Sequence, residues 1–308
     1  MKAKFRRLVI GLVALGTGAV ATASSAAEPT DTRRVGRSSV YQHLPGESLE
    51  ALSTPDEIRG LLAPNIAPTR IWRVLEHGEK VECLNCIPYV SQLLYNSNPK
   101  TREISAWWLR RRILGVFGPG QIYSQVVAQA TDQSQPVQTR AYAVNALGEF
   151  LASAGVAPVS SALVNDSAVS VRVAAAQALQ RLNNQGPNGE LATAMGDADE
   201  TVRLAALRSA AHIHVFTGVD AIAALTGDPS AAVRRHAAQT LGTMRVADAV
   251  VPLIALTTSQ ETDPTVRAAA VWALGKIGDA AARDAIVAAK RDTDSFVQDA
   301  ANIADRLL

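Results

Sequence analysis

Aromatic residues, charge and cysteine are all scarce in this sequence. Phe, Trp and Tyr make up 5% of 308 residues, although 48% are hydrophobic. A single large core would draw on aromatic volume. Here Ala, Val and Leu carry the apolar count, which suits closely packed helices of small cross-section. Charged residues are 19% and nearly balanced, 30 Lys and Arg against 28 Asp and Glu. With so much apolar residue to bury, that composition excludes a disordered chain. Two cysteines exclude a miniprotein built on disulfides, and the lack of recurrent long apolar runs excludes a polytopic membrane protein. The length allows one to three domains.

The first 27 residues have the pattern of an export signal. Lys2, Lys4, Arg6 and Arg7 form a basic start, Leu8 to Val20 an apolar segment, and Ser25-Ala26-Ala27 a small-residue cleavage site. Gly11, Gly16 and Gly18 dilute the apolar stretch, which favours a cleaved signal over a retained anchor. The expected product is periplasmic or secreted, with cleavage near Ala27 and no integral membrane span afterwards. Four basic and no acidic residues leave with the signal, so the net charge of +2 becomes −2. A general attraction to nucleic acid is therefore not expected.

What the rest of the sequence has is a repeat. Arg102, Arg140, Arg172, Arg203, Arg234, Arg267 and, by substitution, Gln298 recur at spacings of 31 to 38 residues. One residue before each anchor is β-branched, from Thr101 to Val297. Three after it is small, from Ser105 through Ala143 and Ala175 to Ala301. Seven after it is Leu109, Leu147, Leu179, Ala210, Leu241, Leu274 and lastly Asp305. These offsets stack on one face of an α-helix and predict its buried stripe. Six residues before the anchor come Asp166, Asp197, Asp228 and Asp292, with Glu261 and Asn96 as near equivalents, residue types suited to helix N-caps and turns. A second apolar-periodic segment lies between successive anchors, so each unit reads as helix, turn, helix.

That pattern resembles HEAT repeats, particularly the short alanine-rich variety named after phycobilisome lyases. Asp228-Pro229-Ser230-Ala231-Ala232-Val233-Arg234 and Asp263-Pro264-Thr265-Val266-Arg267 match its Asp-Pro…Val-Arg signature, and Ala268 to Gly275 match the helix that follows. The resemblance implies an all-α fold, a right-handed α-solenoid of about seven helix pairs over residues 86–308. A flexible lead-in (28–53) and a short helical N-terminal cap (54–85) precede it. It also implies that Arg140, Arg172, Arg203, Arg234 and Arg267 form a structural ladder with Asp166, Asp197 and Asp228. An arginine row gripping an anionic polymer is the rival reading.

Two places depart from the repeat. Nine of the fourteen aromatic residues lie between Trp72 and Phe150, among them Trp107-Trp108-Leu109-Arg110-Arg111-Arg112. Trp107 and Trp272 occupy a column that is otherwise polar, so both are expected to face outward. With Arg110, Arg111 and Arg112 they form the candidate partner-binding set. Trp108 falls in a column of small residues and is expected to pack between helices. The other place is Cys83-Leu84-Asn85-Cys86. Haem attachment would need His after the second cysteine, and residue 87 is Ile. A structural disulfide pinning the turn into the first repeat is the favoured reading in an exported chain. A zinc site with His77 and a nearby glutamate, and a redox dithiol, remain open.

His-Glu pairs of the kind that hold iron in the HEAT-like deoxyhypusine hydroxylases are absent from the sequence, as are a Gly-x-Ser-x-Gly elbow and a phosphate-cradling glycine loop. The expected function is therefore a non-enzymatic scaffold without a cofactor. It would bind a protein in the cell envelope through the concave face and the aromatic, Arg-rich first repeat. A thiol-redox or lyase-type enzyme using Cys83 and Cys86, and a cell-envelope or polysaccharide-binding scaffold, are the alternatives.

Overall fold

A computed structural model describes residues 53–78, 83–115, 118–182, 188–213 and 215–308. The expected signal (1–27), nearly all of the lead-in (28–53), Glu79, Glu82 and His214 lie outside the described residues. The described chain is helical except for one short antiparallel pairing, β1 (Leu114–Gly115) with β2 (Gly118–Pro119).

Two helices come first, α1 (Pro55–Gly60) and α2 (Pro68–Gly78). Thr54 caps α1 by accepting the Glu57 amide at 3.2 Å, and Pro55 fills the first helical position, where no amide hydrogen is needed. Seven helix pairs follow. Their first helices are α3 (Ile87–Leu93), α5 (Gln121–Thr131), α7 (Val156–Asn165), α9 (Asn188–Ala194), α11 (Val219–Ala224), α13 (Val250–Leu256) and α15 (Arg283–Ala289). Their second helices are α4 (Pro99–Ile113), α6 (Val137–Glu149), α8 (Val169–Arg181), α10 (Glu200–Ala210), α12 (Ala231–Met244), α14 (Pro264–Ile277) and α16 (Ser295–Ala304). Each second helix packs on its own first helix and on the second helices of adjacent pairs, which makes the fold an α-solenoid.

Burial follows the columns of the repeat. All seven small residues, Ser105 through Ala301, have zero exposure, and so do the six apolar residues from Leu109 to Leu274 in the +7 column. Asp305 is half-buried and pairs with Lys290 at 2.6 Å. The column before the anchor is fully buried too, except at Thr139, in the first turn after the Pro136 N-cap.

Glycine sets the closest joints. Gly148, Gly242 and Gly275 lie eight residues after their anchors, against Ala178, Ala273 and Ala304 of the next second helix. A methyl group on these glycines would stand 2.8, 2.6 and 2.6 Å from the facing Cα atoms, closer than any real contact. Backbone therefore meets backbone at these joints, and no side chain separates the helices. Gln180 and Ala211 hold the same position at the two middle joints.

Candidate partner-binding surface

The anchor arginines sit at the starts of the second helices, and five make the same set of bonds. Arg140 meets Asp166, Arg172 Asp197, Arg203 Asp228, Arg234 Glu261 and Arg267 Asp292, each through Nε and Nη2 to both carboxylate oxygens at 2.6–3.0 Å. Each acid belongs to the next repeat. Nη1 donates backwards to carbonyls of the turn ahead of its own helix, as Arg203 does to Asp197 at 2.9 Å and Ala198 at 3.1 Å. One guanidinium thus ties two consecutive turns.

The acids start turns rather than cap helices. Asp166, Asp197, Asp228, Glu261 and Asp292 accept the amide two residues on, at 2.8–3.0 Å. The N-caps lie at those next residues, with Asp199, Ser230, Asp263 and Asp294 accepting from the first helical turn. The hydrogen bonds from Arg234 and Arg267 hold Glu261 and Asp292 below the ordinary carboxylate range. At Asp166 and Asp197 burial pulls the other way, but the bonds from Arg140 or Arg172 and from the backbone outweigh it. An arginine that holds a neighbouring acid at both ends of its fork cannot also grip an anionic polymer.

Repeat one breaks this rule. Arg102 keeps its backward clasp, Nη1 donating to Asn96 at 2.7 Å and Ser97 at 3.0 Å. The next repeat offers Ser134 where the acid would stand. Pro136 explains the change: at the equivalent place in the other repeats an amide N–H supports the carboxylate, and proline has none. The turn is built instead on Asp132, which accepts from Ser134 and Gln135 and is held down to about 2 by those bonds. The Arg102 guanidinium lies over the Tyr142 ring, 3.8 Å from its centre.

Arg102 and Tyr142 line a groove of about 210 Å³ that crosses the second helices of the first three repeats, with Asn145, Glu149, Gln177 and Arg181. Glu149 bonds Arg181 at 2.8 Å, and burial pushes its carboxyl up against the opposing pull of that arginine. Beyond the groove the same outward stripe continues through exposed Arg208, His212, Gln239 and Thr243.

The sequence-nominated binding residues divide. Trp107 and Trp272 are half-buried and pack on the core, and neither lines the groove. The Trp272 ring reaches back to Gly242 of the preceding second helix and lies 5.6 Å from the Lys276 ammonium. Arg112 is a correction. Its guanidinium stacks on Trp108 at 3.8 Å and donates to the Gly78 and Trp108 carbonyls at 2.7 and 2.8 Å, clasping α4 to α2. It serves the fold, because fully buried Trp108 needs a cover at the edge of the stack. Arg110 is half-buried and Arg111 exposed. Arg102, Tyr142, Glu149 and Arg181 were not nominated. The signal for the first was present: the acid column has a gap at Ser134.

Cys83 and Cys86 lie side by side across the turn into α3, their Cα atoms 5.3 Å apart. Buried His77 ends α2. Among the described residues no three His, Cys, Asp or Glu side chains gather as a metal site, and no helix is long and apolar enough to cross a membrane.

A family model described as HEAT repeats matches residues 124–211 and 219–304. No curated protein matches the sequence. Among solved structures the Escherichia coli protein YibA is similar at 16% identity and TM-score 0.55, over 84% of this chain and 95% of that one. A chain in the structure of Kap95p with RanGDP is similar at 13% identity and TM-score 0.57, over 86% of this chain and 40% of its own. The CpcE–CpcF phycocyanin lyase complex of Nostoc aligns at 19% identity over 80% of this chain and 97% of that one, with a TM-score of 0.39. Over more than half its length, then, this chain is a HEAT-repeat protein, and it belongs to that family.

Proposed function

We propose that the chain is an exported, non-enzymatic scaffold that holds a partner protein against the outward stripe of its second helices, within the first three repeats. The observation that carries this is the groove from Arg102 to Arg181, polar and aromatic, spanning three consecutive repeats. Extended repeat surfaces suit macromolecules, because a long strip of side chains can follow another chain. Arg110 and Arg111 and the outer edge of Trp107 extend the same surface, and Trp272 lies further along the stripe, on the sixth repeat. The basic-apolar-small pattern of residues 1–27 supports export to the periplasm or medium, and a Cys83–Cys86 bond would fit an oxidising compartment.

Gln177 is exposed in the groove, so Gln177→Trp should fill it and leave the thermal melt unchanged. Affinity capture from the cell-envelope fraction, parent beside variant, should lose the retained protein in the variant. Identical capture by both would sink the assignment of this surface. Mass measurement of the mature chain from the producing cell should place its N-terminus near residue 28, and a chain still starting at Met1 would remove the export reading.

A further inference from the structure

We infer that the Arg102–Tyr142 groove is a carboxylate-binding subsite, made for an acidic side chain or a chain-terminal carboxylate presented by an extended peptide segment. The inference rests on the protein-binding reading and names the chemistry it would use. Five arginines of the same column, on the same scaffold, hold a carboxylate bidentately through Nε and Nη2. Arg102 is anchored by the same Nη1 clasp. Among the described residues no carboxylate meets its other edge. Tyr142 supports the guanidinium face, so the fork is held in one plane before a ligand arrives.

Charge in the groove agrees. Glu103 is paired with Lys100 at 2.7 Å and Glu149 with Arg181 at 2.8 Å. Lys100 and Arg110 also lie close enough to Glu149 to act on it. Around these two carboxylates there are four cations, Lys100, Arg102, Arg110 and Arg181. An anionic ligand therefore meets a surplus of positive charge. Asn145 and Gln177 line the same groove as neutral amides that can bond a peptide backbone.

The test follows the Arg102 side-chain Nε–H signal by NMR in the full chain, titrated with tri-glutamate and tri-glutamine that are both acetylated and C-terminally amidated, with acetylated tri-glutamine bearing a free C-terminus, and with inorganic phosphate. The variant is Arg102→Gln. It should fold, because Gln298 at the same position of α16 already donates to the preceding turn, to Asp292 at 2.7 Å. Tri-glutamate should shift the Arg102 signal saturably. In the variant, shifts at Tyr142 and Asn145 should need about tenfold more peptide, the usual weight of a charge-assisted pair. An equal response to amidated tri-glutamine, or tri-glutamate binding unchanged in the variant, would overturn the subsite, whereas tri-glutamine binding only with its terminus free would identify the chain-terminal carboxylate as the group held. Phosphate saturating the signal at lower concentration than tri-glutamate would also overturn it, in favour of a phosphoryl ligand. If the subsite fails while Gln177→Trp still abolishes capture, the scaffold reading stands without it. If tri-glutamate binds and capture is unaffected, the partner surface lies elsewhere and the carboxylate site remains.

Discussion

One residue type serves two ends in this protein, and its surroundings decide which. Arg140 and Asp166 have side chains only 4% and 0% exposed. Removing one member strands the other in a place where water cannot replace it. Arg140→Ala should therefore cost about 3–5 kcal/mol in a denaturant titration. Arg181 and Glu149 are 40% and 24% exposed. Solvent screens that pair, and Arg181→Ala should cost less than about 1 kcal/mol. Similar losses for both would mean that burial does not govern these pairs. The ladder need not add much net stability, since desolvation offsets most of the attraction. Its geometry instead fixes how one repeat sits on the next.

At the scale of helices, the joints between second helices depend on what stands eight residues after each anchor. Gly→Ala in an exposed helix interior normally adds up to about 1 kcal/mol through propensity. Gly275→Ala should do the opposite, because its methyl would meet the Ala304 Cα at 2.6 Å and push α14 from α16. A loss of about 1–3 kcal/mol is expected. A methyl added at Gly60 in α1 would meet nothing within 4 Å, and Gly60→Ala should be neutral or slightly stabilising. Melting temperatures of the two variants test the contrast. Should Gly275→Ala prove stabilising, the backbone-to-backbone account of this joint fails. The small column was legible in the sequence, since Ser105 and six alanines recur in register. The glycine–alanine contact was not, because the partners lie about thirty residues apart and only packing brings them face to face.

For the whole molecule, the ladder acids make stability depend on pH with a definite sign. Asp166, Asp197, Glu261 and Asp292 all have folded pKa values below their unfolded ones. The unfolded chain binds protons more readily at these sites. Their contribution is thus complete above the ordinary carboxylate range, near pH 4, and is lost as pH falls through the lowered folded values. Because the four acids stand at four of the five ladder turns, acid should loosen the stack along its length. The midpoint of urea unfolding should be flat from about pH 7 to 5 and fall steeply below about pH 4. A midpoint that rises on acidification would contradict the assigned shifts.

Periodicity determined the architecture by itself: the spacing of the anchors, the small column and the alternating apolar segments specify stacked helix pairs, because helix burial depends on local offsets. The low aromatic content follows from the same cause, since helices that meet through alanine and glycine have no room for rings. The tertiary structure alone decided which charged side chains are consumed by the fold. Arg112 and Arg102 are both basic residues of the aromatic-rich first repeat, and the repeat column marks Arg102 as an anchor without saying what its free edge meets. Packing puts Arg112 against Trp108 and the Gly78 carbonyl, and puts Arg102 beside Tyr142 at the edge of a groove. That difference lies in contacts 34 and 40 residues away along the chain, which no local pattern encodes.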